Sequence, residues 1–212
     1  MYALINQHFD ELAGRIDWDR DLQPYVTLMA DVEQADIAGN QDFRGRYRRY
    51  WRMNQARLCD EFYNAYFELL DRLRREPLDN VGVENVTREL LNVPAQNNGR
   101  RMLHFSFASK MVHMLCPDRP IYDNKVKRFY FLPEHGSGEV NNRLRGLINS
   151  YEFLVGEYQR ILTQGLLAPA IEGFRERFQV PFSDQKVIDT LIWTFVKFLQ
   201  DGAVRDGIVQ YF

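Results

Sequence analysis

Only two cysteines, Cys59 and Cys116, occur in the 212-residue chain. Both fall inside apolar helical patterns, where a free thiol behaves as a small hydrophobe. A disulfide framework is therefore not expected, and the chain reads as a protein of a reducing cytoplasm. Neither CxxC nor HExxH spacing is present, and the four histidines at 8, 104, 113 and 135 are scattered, so no structural metal site is expected. No apolar run reaches about 18 residues, so no membrane-spanning segment is expected. The stretch MYALINQHFDELAGRIDW is amphipathic and acidic, without the basic segment and cleavage site of a secretory signal. Strand signals are nearly missing: the one Asn-Gly pair, Asn98-Gly99, follows a polar linker rather than an alternating β-branched run. No fixed-period repeat is evident, which argues against a solenoid.

What is present is apolar and aromatic. Hydrophobic residues make up 45% of the chain and aromatics 14%, so it can bury a core and is not a disordered chain. Three-to-four residue periodicity dominates. It marks YALINQHFDELA, then LQPYVTLMADVEQADIAG up to Gly39. DFRGRYRRYWRMN and ARLCDEFYNAYFELLDRLRRE read as one long helix, or as two with a kink, ended by Pro77. VENVTRELLNV ends before Pro94 and SFASKMVHMLC before Pro117, and DNKVKRFYF closes at Pro133. EVNNRLRGLINSYEFLVGEYQRILTQG is the longest periodic run; APAIEGFRERF and SDQKVIDTLIWTFVKFLQDG follow, the latter with Ser183 as N-cap. The expectation is one all-α domain over residues 1–212, with about nine or ten helices.

Net charge is only −2, but the charges are segregated. Up to Asp42 nine acids face only Arg15 and Arg20, whereas positions 44, 46, 48, 49, 52 and 57 are all arginine with no acid between them. A second basic cluster contains Arg100, Arg101, Lys110, Arg119, Lys125, Lys127 and Arg128. A near-neutral protein can still present one basic face. On a helix, Tyr47, Tyr50, Trp51 and Asn54 share a side and the arginines fall mostly on the others. Two readings stay open: an aromatic stripe facing the core with arginines paired to the N-terminal acids, or a phosphate-contacting face on which residues such as Arg46 and Arg49 grip nucleic acid.

The segment HFSFASKMVHMLCPDRPIYDNKVKRF resembles the signature of the helix–hairpin–helix DNA glycosylase superfamily, over about an eighth of the chain. In that family a hairpin of small residues opens a lysine-bearing helix. A short connection follows, then an aspartate at the start of the next helix, then a valine and an arginine. The resemblance puts Ser106, Phe107 and Ala108 in the hairpin, in place of the family's Gly-x-Gly. It makes Lys110 the helix lysine and Asp123 the catalytic carboxylate, followed by Val126 and Arg128. The helix–hairpin–helix-like segment would span about residues 100–131, with consecutive helices over 106–116 and 123–131, inside a multi-helix bundle that is one body or two helical subdomains around a cleft. No cysteine cluster for an iron–sulfur centre is present, and no cofactor is expected.

The resemblance implies DNA as partner, with a place in repair or defence. A carboxylate near the anomeric carbon stabilises the positive charge that develops as an N-glycosidic bond breaks. A desolvated lysine can attack in place of water. The base must leave the stack, and Tyr122, Trp51 or Phe107 is left to stack against it. Ser106, Phe107, Ala108, Lys125 and Arg128, with Arg46 and Arg49, would hold the strand. A simple helix cap remains the alternative role for Asp123. For the chain as a whole the alternative is a non-catalytic nucleic-acid or protein binding module on the same helical fold.

Overall fold

The computed structural model describes residues 1–33, 36–77 and 81–202. They form eleven α-helices and no strand. In chain order these are α1 (Tyr2–Gln7), α2 (Phe9–Ala13), α3 (Gln23–Val32), α4 (Gln41–Tyr50), α5 (Asp60–Leu73), α6 (Val83–Leu91), α7 (Phe105–Leu115), α8 (Asn124–Phe129), α9 (Val140–Thr163), α10 (Ala168–Phe178) and α11 (Asp184–Gln200). A π-helical turn, Trp18–Leu22, leads into α3, and a 3₁₀ turn, Met53–Ala56, follows α4. Among the described residues no helix is long and apolar enough to cross a membrane.

The count exceeds nine or ten because the first periodic run breaks. His8, at φ −102° and ψ 20°, separates α1 from α2 although the apolar spacing continues across it. The arginine-rich run also breaks, giving two helices. Arg52 and Arg57 both adopt left-handed backbone conformations. Arginine does not favour that region, where a non-glycine residue costs about 1–2 kcal/mol. Burial of Trp51 and Met53 on either side of Arg52 holds the turn in place.

α5 shows how sequence becomes packing. Phe62, Tyr63, Tyr66, Phe67, Leu70 and Leu73 recur at helical spacing and are all buried, with Asp60 and Glu61 in the first turn and Arg72 in the last. α8 packs along α11, α6 along α7 and α3 along α4. α11 is the central element: its buried residues run almost all the way round, from Lys186 to Leu199, as expected of a helix enclosed by its neighbours.

The segment from residue 116 to 123, between α7 and α8, is fixed by side chains from two helices, α7 and α9, and by the cap of α11. Ser183 Oγ donates to the Pro117 carbonyl at 2.7 Å and His113 Nδ1 meets the Arg119 carbonyl at 2.7 Å. Tyr151 donates to the Pro120 carbonyl at 3.1 Å, and the Tyr122 N–H donates to Ser109 Oγ at 3.0 Å. An otherwise irregular segment thereby has its backbone groups satisfied from the surrounding core. It delivers Asp123 to a defined place.

Candidate functional site

Asp123 caps α8. Its backbone is extended, and Oδ1 accepts from the N–H groups of Lys125 at 2.8 Å and Val126 at 2.9 Å. This is the bonding expected of a good N-cap, and it orients the carboxylate. The second oxygen accepts no hydrogen bond from the described residues. Asp123 stands between two cavities and lines both, one of about 580 Å³ and one of about 210 Å³.

The larger cavity is a cleft between the Trp18–Leu22 turn, α3, α4, α7, α11 and the cap of α8, and Asp19 and Asp21 line it too. Lys110 reaches it from α7, and its Nζ donates to the Trp51 carbonyl at 3.3 Å. The ammonium lies 5.8 Å from the Trp51 ring centre and 5.4 Å from that of Phe107. Burial pushes the Lys110 amine below the ordinary lysine range; Asp123 and Asp189 pull it back, and Arg52 and Lys186 push it further down.

A second lysine–aspartate pair forms the floor. Lys186 and Asp189, one turn apart on α11, are 5% and 6% exposed, and their charged groups meet at 3.4 Å. The Lys186 ammonium sits 4.6 Å from the Tyr25 ring centre, 5.5 Å from Trp51 and 5.8 Å from Tyr50. Burial opposes its charge, but Tyr50, Asp189 and Tyr25 outweigh that and hold it above the ordinary lysine range. Burial pushes the Asp189 carboxyl up; Lys186 opposes this and Asp123 adds to it. Asp189 Oδ1 and Trp51 Nε1 are both buried without a hydrogen-bond partner among the described residues. A buried polar atom left this way is costly in a purely structural role.

His113 ties this floor to the α7–α8 segment. Because its Nδ1 faces a carbonyl, that nitrogen carries the proton, and Nε2 accepts from the Tyr25 hydroxyl at 2.8 Å. Tyr25 in turn presents its ring to Lys186. Burial pushes His113 down to about 3, so the imidazole is neutral and this tautomer holds.

Of the residues singled out in the sequence, Asp123, Lys110, Trp51, Arg46 and Arg49 line the larger cleft together. Tyr122 does not join Trp51 there. It lines the smaller cavity with Ser106, and its ring packs edge-on against Phe105 at 5.1 Å. Phe107 stacks on His104 at 5.5 Å. The hairpin expected at Ser106, Phe107 and Ala108 is not formed: these residues lie in the first turn of α7, and the chain from α6 arrives through the longer connection 92–104. Early helix formation is physically reasonable, because none of the three is glycine and Phe105 and Ala108 are buried on one side of the helix.

The arginines divide between the two readings. Arg46 is tied to Asp31 at 2.9 Å and Asp42 at 3.1 Å. Arg44 bonds Asn64, and Arg48 stacks 3.7 Å over Tyr63. Arg49 is exposed and makes no ion pair among the described residues. Lys125 and Arg128 lie on α8 outside the cleft lining, with Arg128 exposed. Sequence reasoning missed Tyr25, Lys186, Asp189 and Trp193. A signal existed: a lysine and an aspartate three apart, followed by a tryptophan, interrupt the otherwise apolar KVIDTLIWTFVKFL.

The fold and site thus define an all-α protein with a charged, aromatic-walled cleft. No family model, curated protein or solved structure matches the chain.

Proposed function

We propose that this protein is a DNA N-glycosylase-like hydrolase that accepts a flipped base in the larger cleft, with Asp123 as the catalytic carboxylate and Lys110 as the attacking amine. The observation that carries this reading is the meeting of Lys110 and Asp123 in one cleft of about 580 Å³ beside the Trp51 ring. That volume accommodates a nucleobase with its sugar. The lowered basicity of Lys110 supports its use as a nucleophile, whereas Lys186 stays charged and is unsuited to attack.

In this reading the Lys110 nitrogen bonds to the anomeric carbon as the N-glycosidic bond breaks. The base leaves with the bonding electron pair and takes a proton from water. The new ammonium gives a proton to Asp123, which passes it to the ring oxygen as the sugar opens to the imine, and water then hydrolyses the imine and frees Lys110. Borohydride reduction during turnover is expected to trap a covalent protein–DNA adduct, and Lys110→Gln is expected to abolish it. Base release from a panel of modified duplexes with no adduct would assign the attack to water and leave Lys110 a supporting role.

The second reading, a binding module without excision, is favoured by one observation: residues 106–108 are helical, so the family's phosphate-gripping hairpin is not formed. Absence of base release from every duplex in the panel would select it.

A further inference from the structure

Outside the Lys110–Asp123 pair, the mouth of the cleft gathers positive charge around one ring. Trp193 follows Asp189 by one turn on α11, lines the cleft and is half-buried. The Arg52 guanidinium lies 5.3 Å from its ring centre, Lys197 Nζ 5.8 Å and Lys125 Nζ 5.9 Å. None of these three cations forms an ion pair among the described residues, and Lys125 Nζ donates to a neutral acceptor, Gln200 Oε1. Most other basic groups near the cleft have an acid or a backbone acceptor, as Arg46 has Asp31 and Lys110 has the Trp51 carbonyl. Three cations held about one side chain without an ion-pair partner repel one another and favour an anion between them.

The ring itself points the same way. Trp193 is half-buried, so part of its indole meets solvent, and the nearest cation, Arg52, stands 5.3 Å from its ring centre. A partly open aromatic ring flanked by cations without ion-pair partners suits a nucleotide. The indole stacks on any base, and the cations meet the phosphates on either side. Burial, with Arg128 and Arg52 nearby, pushes Lys125 below its ordinary range against the pull of Asp123 and Asp201.

We infer that Trp193, Arg52, Lys125 and Lys197 form a docking site for an unpaired nucleotide of a nucleic-acid strand, next to the base held in the cleft. The inference rests on the nucleic-acid part of the reading above and not on base excision.

Binding is measured by fluorescence anisotropy with three probes: a short single-stranded oligodeoxynucleotide, an equally long abasic phosphodiester oligomer, and a deoxynucleoside monophosphate. The wild type is expected to bind the oligodeoxynucleotide at low salt. Arg52→Gln, Lys125→Gln and Lys197→Gln are each expected to weaken it several-fold and to flatten the salt dependence by about 0.7 in logarithmic slope. Trp193→Ala is expected to weaken the base-bearing oligomer about tenfold and to leave the abasic oligomer unchanged, with Trp193→Phe recovering most of the loss. Thermal melts on the same variants confirm that each is folded. Affinity that ignores all four substitutions overturns the inference, as does an equal loss on both oligomers for Trp193→Ala or a monophosphate binding as tightly as the strand. Excision with binding that ignores the rim refutes the rim alone; rim-dependent binding without excision refutes the glycosylase reading alone.

Discussion

Consider removing one member of the buried pair on α11. Lys186→Met leaves the Asp189 carboxylate without its partner, 6% exposed, on the floor of the cleft. The protein can avoid a buried bare charge by protonating Asp189. At pH 7 this costs about 4 kcal/mol, the distance from an ordinary aspartate near 3.9 at 1.36 kcal/mol per unit. Asp189→Asn leaves Lys186 unpaired, and neutralising a lysine of about 10.4 costs between 4 and 5 kcal/mol, so about 5 at most. The Tyr25, Tyr50 and Trp51 rings lower that limit, because they stabilise the fraction of Lys186 that keeps its charge. Each single variant is therefore expected to lose about 3–4 kcal/mol, a large share of the 5–15 kcal/mol typical of a folded domain. Lys186→Met with Asp189→Leu is expected to return to within about 1 kcal/mol of wild type, because no buried charge remains.

Urea titrations of the four proteins give the coupling directly. Their pH dependence gives an independent sign. In Lys186→Met the folded state holds the extra proton, on Asp189, so stability should rise as pH falls from 7 towards 4. In Asp189→Asn the unfolded state holds the extra proton, on Lys186, so stability should rise as pH rises. Two single variants within 1 kcal/mol of wild type, with additive effects, would refute the argument and mean that water reaches the pair. If the double variant is stable but no longer binds or acts, the charges are kept for the site and not for the fold.

The histidines give an acid-side expectation. His113 is held neutral at about 3, whereas in the unfolded chain it titrates near 6.5; its contribution is present above 6.5 and is lost as pH falls. Between pH 7 and pH 5 this removes about 2 kcal/mol. His104, brought down to about 4 by burial, adds in the same direction with less weight because it is partly open to water. Denaturation of wild type and His113→Leu at both pH values checks this: the variant should be less stable at pH 7 and show a shallower pH slope. Ser109→Ala, which removes the acceptor of the Tyr122 N–H, is expected to lose about 1–2 kcal/mol and to loosen the segment bearing Asp123, seen as faster amide exchange at Ile121, Tyr122 and Asp123.

Much of the fold could be read from the sequence, and for identifiable reasons. α7 and α8 stop short of Pro117 and Pro133, and Asp123 and Ser183 both cap as their residue types suggest. The split between α4 and α5 at a definite turn was not readable. The left-handed residues there are arginines, and it is the burial of Trp51 and Met53 that imposes the conformation. Sequence reasoning named Lys110 and Asp123 but missed the pair beneath them. Lys186 and Asp189 belong to an apolar run in which helical spacing implies only packing. What makes them a site is Tyr25, brought from α3 and held by His113 of α7. Such contacts between residues distant in sequence leave no local pattern. The hairpin expectation failed for a local reason: Ser106, Phe107 and Ala108 can all continue a helix, and Phe105 and Ala108 have a core to face.

The central claim is that Asp123 serves chemistry as well as helix α8, and Asp123→Asn tests it most directly. Asparagine caps about as well as aspartate, so the thermal melt should move by the equivalent of a few tenths of a kcal/mol at most. The same change removes the negative charge facing Lys110 in the cleft, so base release should fall by at least about a hundredfold on whichever modified duplex the wild type cleaves. An unchanged melt with unchanged base release would make Asp123 a cap alone and contradict the account.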